Sequence, residues 1–383
     1  MSKILILGDV HLGKSPNLGK VNLNSVYNSR LIDQRKILDW VLEKAEEEVV
    51  SDIVITGDIF EDTNPKYEII NVFMEWLKKT NILNIKVHII LGNHDYTRIN
   101  NIYYSPLDLI NNTELDNVTV YKTPNTINVC DTYISMFPFC DRKSLFSESL
   151  SEAKNLIKKY IEYEYSLIPR AKNSIAIGHF ALEGSLYIGD EIDDLTNEII
   201  VPLDYFEYDY VWMGHVHKFQ KLKENVYHIG SMDISDFGEA NESKYIIIFD
   251  CKNNSFDEIK IPTVKLNKIS LEISNENIDS IEELISNVSN QIVSLEIKYK
   301  QDVSPIGKSK LKSILQKNNP YIIANISETK EVKVTENKKT KKFKQNMTVV
   351  NAIESYAKEF VEEKYYEKFI AYSKDLFKTV GDK

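Results

Sequence analysis

Cysteine is scarce in this sequence, and its three copies, Cys130, Cys140 and Cys251, include no Cys-x-x-Cys pair. An odd, scattered set of thiols excludes a disulfide framework and a cysteine zinc site, and it fits a reducing cytoplasm, the location expected. Long apolar runs are missing too: no stretch of about 18 uncharged apolar residues occurs, so no membrane span is expected. The opening Met1-Ser2-Lys3-Ile4-Leu5-Ile6-Leu7-Gly8-Asp9 has too short an apolar stretch for a signal peptide and reads as a first buried strand. Positive charge is in deficit, with a formal net charge of −10. That argues against a protein that coats nucleic acid, because neutralising phosphates takes basic surface. It leaves room for an enzyme that meets a polyanion through bound metal ions. No long internal repeat is present. Histidine is rare as well, at seven copies, and five of them fall in short polar motifs.

What is there suits a globular protein of more than one unit. A chain of 383 residues, 43% hydrophobic and 27% charged, is long enough for two or three units with full cores. Up to about residue 262, short runs rich in Ile, Val and Tyr alternate with amphipathic stretches. The runs are residues 3–7, 52–56, 86–91, 133–137, 174–177, 210–213 and 244–249, the length and composition of buried strands. Residues 31–50 (with Ile37, Trp40 and Val41) and 67–79 (with Ile69, Ile70, Phe73, Trp76 and Leu77) carry apolar side chains at helical spacing. The fold class predicted is therefore α/β, with helices covering sheet.

Polar residues collect directly after the strands. Gly8-Asp9-Val10-His11, Gly57-Asp58, Gly92-Asn93-His94-Asp95, Gly178-His179 and Gly214-His215-Val216-His217 each follow an apolar run at once. In α/β sheets the ligand site lies beyond the carboxyl ends of the strands, and a glycine before each polar group is expected to let the chain turn sharply. Five strands thus deliver Asp, Asn and His to one rim. Two divalent cations about 3.5–4 Å apart can clamp both oxygens of a phosphate displacement and activate water. Such a site needs a bridging carboxylate, and Asp58 is the candidate. Asp9, His11 and His217 complete one set of ligands, and Asn93, His179 and His215 the other. Carboxylate, amide and imidazole together suit manganese, iron or zinc better than calcium. His94 is not needed as a ligand; it is the candidate acid for the leaving oxygen, with Asp95 orienting it. Any one Gly-Asp or Gly-His alone reads as an ordinary turn, and only the ordered set of five carries the assignment. The other two histidines, His88 and His228, sit inside strands and read as structural.

Beyond Pro262 the pattern changes. Residues 265–328 predict strand, helix, strand, helix, strand (269–273, 278–288, 292–298, 309–316 and 321–326), a small second domain. Residues 330–345 hold seven lysines against Glu331 and Glu336 and read as a linker. Residues 348–379 predict an amphipathic helix or helical pair with Val349, Ile353, Tyr356, Phe360, Tyr365, Phe369, Tyr372 and Phe377.

The five motifs resemble those of the calcineurin-like metallophosphoesterases. Within them, His11-Leu12-Gly13 and Ile229-Gly230-Ser231 with Asp236-Phe237-Gly238-Glu239 look like the SbcD branch, the bacterial, archaeal and phage counterpart of the meiotic-recombination-eleven nuclease. The resemblance implies a β-sandwich flanked by helices over residues 1–262 and a DNA-positioning capping domain over 263–329. A lysine-rich linker (330–346) and C-terminal helices (347–383) that dock on a coiled-coil SbcC-type ATPase would follow. It further implies manganese as cofactor, DNA ends as substrate, 3′–5′ exonuclease and endonuclease activity, and a homodimer built on residues 67–79 and the helices after Asn101. Glu61 departs from archaeal and eukaryotic members, which often carry histidine there, and sides with bacterial and phage relatives; it is expected to support the site rather than bind metal. Two other functions stay open at this point: hydrolysis of small phosphodiesters or phosphoproteins, and an inactive scaffold that recruits an ATPase to DNA.

Overall fold

Residues 3–21, 26–99, 102–186, 198–331, 357–358, 361 and 363–381 are described by a computed structural model. The first strand, β1 (Lys3–Leu7), is apolar on both faces and runs parallel to β2 (Val50–Ile55), which runs parallel to β3 (Lys86–Ile90). Strands buried on both faces read as continuous apolar runs, and these three do. A short hairpin, β4 (Thr97–Ile99) and β5 (Ile102–Tyr104), precedes β6 (Val118–Tyr121), which joins β3. The chain then builds a second sheet from β7 (Asn125–Val129), β8 (Thr132–Phe137) and β9 (Asn173–His179). A two-strand ribbon, β10 (Ala181–Leu182) and β11 (Ile200–Val201), intervenes before β12 (Tyr210–Gly214), β13 (Gln220–Lys223) and β14 (Val226–His228) complete that sheet. Finally β15 (Tyr245–Asp250) and β16 (Ser255–Lys260) return to the first sheet, β15 antiparallel to β1. The strand orders are 16-15-1-2-3-6 and 13-14-12-9-8-7.

Alternation along β1 explains the layering. Leu5 and Leu7 face α1 (Ser29–Glu47) and α2 (Tyr67–Ile82), packing with Leu38, Val41, Phe73 and Trp76. Ile4 and Ile6 face the other way, onto Ile134, Met136, Ile175, Ile177 and Trp212 of the second sheet. The far side of that sheet, with Ala176, Val211 and Met213, is covered by Ala153, Ile157 and Ile161 of α3 (Leu150–Ser166). Four layers result, helix, sheet, sheet, helix, which agrees with the α/β sandwich expected. Burying each large aliphatic or aromatic chain here stabilises by about 1.5–3 kcal/mol. Asn28 caps α1 by accepting from Arg30 N, and Ser149 caps α3 by accepting from Glu152 N.

The small sheet is fully parallel: β17 (Leu266–Ile273), β18 (Ile292–Tyr299) and β19 (Ile322–Lys330) in that order. Its crossovers are a 3₁₀ turn running into the short α4 (Ile281–Leu284), and α5 (Lys308–Lys317). Leu311 and Leu315 of α5 bury against Leu295 and Ile297. A second apolar patch joins Leu266 and Ile292 to Leu18 and Ile234. Residues Met1–Glu331 accordingly form one compact unit, and Val332–Lys383 a second, in which α6 (Tyr366–Gly381) is the long helix. The linker expected at 330–346 lies outside the described residues from 332 onward, as do Val349, Ile353, Tyr356 and Phe360. No described helix is long and apolar enough to cross a membrane.

Candidate metal centre

The loops after β1, β2 and β3 supply Asp9, His11, Asp58 and Asn93 from the first sheet, while His179, His215 and His217 come from the ends of β9 and β12 in the second. The seven predicted ligands meet where the two sheets' carboxyl ends converge. Asp58 Oδ2 lies 3.4 Å from His11 Nε2 and 3.4 Å from His179 Nε2, between two groups of side chains. On one side His217 Nε2 is 2.9 Å from His11 Nε2, and atoms of both come together with the Asp9 carboxylate. On the other, Asn93 Oδ1 is 2.9 Å from His179 Nε2 and 2.9 Å from His215 Nδ1.

The backbone is held in strained conformations to achieve this. His11 (φ 46°), Asp58 (φ 48°) and His215 (φ 81°) are left-handed non-glycine residues, a state that persists only where surrounding structure enforces it. The glycines before the motifs serve mainly to make room rather than to turn. A Cβ on Gly92 would stand 2.1 Å from Asp58 Oδ1, and one on Gly214 2.3 Å from Asp9 Oδ1. Only Gly57, at φ 119°, has the positive φ expected of a turn glycine.

Each predicted ligand histidine has an oxygen close to the nitrogen that faces away from its cluster. His11 Nδ1 is 2.9 Å from Glu61 Oε2, His217 Nδ1 3.3 Å from Glu239 Oε1, and His179 Nδ1 donates to the Thr56 carbonyl at 2.9 Å. His215 Nε2 meets the Glu198 carboxylate. Acceptors at the outer nitrogens of His179, His215 and His217 leave the inner nitrogen's lone pair aimed at the centre, the arrangement that orients metal-binding imidazoles, while the Glu61 carboxylate stands close to His11 Nδ1 without hydrogen-bond geometry.

The electrostatics point the same way. Burial pulls the His179 imidazolium down, but Asp58 and Asp9 outweigh it and carry the group up to about 9. Burial alone would raise the Asp58 carboxyl; His179, with further help from His11 and His94, overcomes this and holds it far below the usual range. Carboxylates that draw a proton onto a buried histidine attract a divalent cation by the same charge. The donor set of carboxylate, amide oxygen and imidazole nitrogen fits two such ions.

Residues 2–219, more than half the chain, match the family model of the calcineurin-like phosphoesterases. The chain belongs to that family. It is a metal-dependent phosphodiesterase, and the resemblance drawn from the five motifs is borne out. Among curated proteins this phosphoesterase is 29% identical to the SbcD subunit of the SbcCD nuclease of Staphylococcus epidermidis over 296 residues, 74% of this chain and 75% of that protein. It is 26% identical to the protein of the same name from Staphylococcus saprophyticus over 310 residues, 78% of this chain and 76% of that one. A dimetal phosphatase from Danio rerio superposes over 68% of this chain and 98% of its own at 9% identity, with a TM-score of 0.39 that carries no further weight.

One predicted contact of the phosphoesterase is corrected by its structure. Asp95 does not orient His94. Its carboxylate is fully buried and accepts from Ile59 N at 2.7 Å and Gly92 N at 2.9 Å, pinning the loop after β2 to the loop after β3. Burial first, and then Asp58, push this carboxyl up to about 7. The His94 ring is set instead by its own Nδ1, which donates to the Glu61 carbonyl at 2.6 Å, and its backbone N donates to Asp58 Oδ1 at 2.8 Å. Neighbours in sequence face opposite ways here, which adjacency alone does not reveal. Glu61 Oε2 lies 2.9 Å from His11 Nδ1 and 3.4 Å from Lys14 Nζ, and the Glu61 carboxylate also comes together with His11 and His94 closely enough to hold a cation. Sequence reasoning missed Glu198 and the support from Glu239. Nothing around Glu198 signals it, whereas Glu239 closes the Asp236–Glu239 segment. His88 and His228 are strand residues bonded to Asp52 and Ser185, as their reading implied.

Proposed function

We propose that this phosphoesterase is the nuclease subunit of an SbcCD-type complex, hydrolysing DNA phosphodiesters as a 3′–5′ exonuclease and endonuclease in repair, recombination or replication. The observation that carries the reading is Asp58 Oδ2 equidistant, at 3.4 Å, from the histidines of two ligand groups. Choice of DNA over small phosphodiesters rests on the relatives' names and on the appended small sheet and C-terminal segment. When bound at this centre, two divalent cations, proposed to be manganese, would supply Lewis acidity toward the phosphate and toward water. Asp9, His11, Asp58 and His217 would hold one, and Asp58, Asn93, His179 and His215 the other. His94, fixed through Nδ1 to Glu61 O, keeps Nε2 for proton delivery to the leaving oxygen. Asp95 acts by pinning the two loops that carry Asp58 and His94. Residues 263–329 position DNA as a capping domain, 330–346 tether, and 347–383 dock on an SbcC-type ATPase. The enzyme works as a homodimer in the cytoplasm.

End-labelled duplex and single-stranded DNA with manganese test this in wild type and His94→Gln. Expected is metal-dependent cleavage that falls by 10²–10⁴-fold in the variant, the range for a lost general acid, with both ions retained. Rapid turnover of a small phosphodiester beside intact DNA would overturn the DNA reading. Retained cleavage in His94→Gln would remove His94 from the chemistry.

A further inference from the structure

We propose that Glu239, held by Lys244, is a positioning residue that sets the tautomer and direction of His217 for metal binding; this rests on the two-ion reading of the centre. Glu239 sits in a 3₁₀ turn, Phe237–Glu239, whose cap Asp236 accepts from Gly238 N at 2.6 Å. The turn carries its carboxylate into the protein, where it is 1% exposed, and Lys244 beside it is 0% exposed. Burying two charges is expensive, and their mutual attraction offsets the cost only when each is well bonded. Here each is. Lys244 Nζ donates to Glu242 Oε2 at 3.1 Å and lies 3.2 Å from Glu239 Oε2, which also accepts from Ser235 N at 3.2 Å.

Those bonds occupy one oxygen of Glu239 and leave Oε1 for His217 Nδ1 at 3.3 Å. The same ammonium donates to the His217 carbonyl at 2.8 Å. His217 is therefore gripped at both ring and backbone by one buried ion pair. With its Nδ1 proton committed to Glu239, its Nε2 lone pair faces His11 Nε2 at 2.9 Å. His217 is the more exposed of the two histidines in this group, with 23% of its side chain accessible against 3% for His11. Packing alone fixes it least, so a hydrogen-bonded brace matters most at this position.

Manganese titration calorimetry on the full chain, without nucleic acid, tests the brace. Glu239→Asp keeps the charge pair but shortens the reach to Nδ1. It is expected to weaken one of two manganese sites about 10- to 100-fold, the usual effect of removing such a partner, and to leave the other unchanged. Two further variants remove the charges together and differ only in the group offered to His217: Glu239→Leu with Lys244→Met, and Glu239→Gln with Lys244→Met. The glutamine pair, which retains an acceptor oxygen, is expected to bind the weakened ion more tightly than the leucine pair. Wild-type affinity at both sites in Glu239→Asp, or equal affinities in the two double variants, overturns the proposal. Fewer than two ions bound by the wild type would instead be a failure of the two-ion reading itself.

Discussion

At the scale of single residues, the centre is defined as much by missing side chains as by those present. Gly92 bears most directly on Asp58, because a Cβ there would lie 2.1 Å from Asp58 Oδ1 and 2.4 Å from Asp58 N. Gly92→Ala is therefore expected to push aside the Asp58 carboxylate, the proposed bridge. A displacement near 1 Å costs about 10²-fold in rate, and overpacking costs about 1–3 kcal/mol of stability. Manganese stoichiometry and the rate of phosphodiester hydrolysis check this. Gly184→Ala is the control: a Cβ at that position would meet no atom within 4 Å, although φ is +78°. It should cost stability without touching activity, and equal rate losses in both variants would refute the steric argument. The thiols make a second residue-level test. Burial pushes Cys140 up to about 12 and Cys251 up to about 11, while Cys130 is exposed. Only thiolate reacts with alkylating reagents. Cys130 is expected to label fastest at pH 8, and labelling of the half-buried Cys140 at a similar rate would contradict the suppression of its thiolate.

At the scale of elements, a polar seam joins the small sheet to α1 and to the segment after β14. Tyr321, just before β19, donates to Asp33 Oδ2 at 2.6 Å. Arg30, one turn earlier on α1, donates to Asp233 Oδ2 at 2.6 Å and to the Ile234 carbonyl at 2.9 Å. Burial first, and then Asp33, push the Tyr321 hydroxyl up to about 12. Its folded value thus lies above the unfolded value of about 10. The bond's contribution is fully present below about pH 10 and is lost as pH rises through about 12. Tyr321→Phe should be less stable than wild type by about 1 kcal/mol at pH 8, with the gap closing between pH 10 and 12. Urea unfolding across that range measures it, and a gap that widens with pH would reverse the sign.

These elements also show what the sequence made legible. Strands β1, β2, β3, β9 and β12 were readable because both faces are buried, which writes an unbroken apolar run ending at Gly and a polar ligand. The outer strands were not. β13 reads Gln-Lys-Leu-Lys and β16 Ser-Phe-Asp-Glu-Ile-Lys, because solvent on one face dilutes the signal. Helix α3 went unassigned although Ser149 and Glu152 form its cap and Ala153, Ile157 and Ile161 its buried stripe. The predicted helix over 278–288 shrinks to a 3₁₀ turn and one turn of α-helix, since Ser286, Asn287 and Ser289 favour competing local bonds. At the site, motif residues were legible because they lie at strand ends. Glu198 was not, because its approach to His215 depends on the register of β10 with β11 and on no local pattern.

At the scale of the whole molecule, the proposed ligands divide between the sheets. Asp9, His11, Asp58 and Asn93 follow strands of the first, and His179, His215 and His217 belong to the second. Cations held by these residues would cross-link the sandwich, beyond the apolar layer of Ile4, Ile6, Met136 and Trp212 that already joins it. They also offset the repulsion of Asp9 and Asp58, both buried, in a chain whose net charge is −10. A ligand that binds only the folded state stabilises it by about 2.7 kcal/mol at a hundred times its Kd. Two such ions would therefore supply a large part of the stability of residues Met1–Glu331, since whole domains are stable by only about 5–15 kcal/mol. Chelation is expected to lower the melting temperature of that unit in one cooperative step, and adding manganese back should restore it with a dependence on concentration that gives the Kd. His179→Ala should lower the chelated protein's melting temperature far less than the loaded protein's. A melting temperature indifferent to chelator would mean that the sheets are locked by their apolar layer alone.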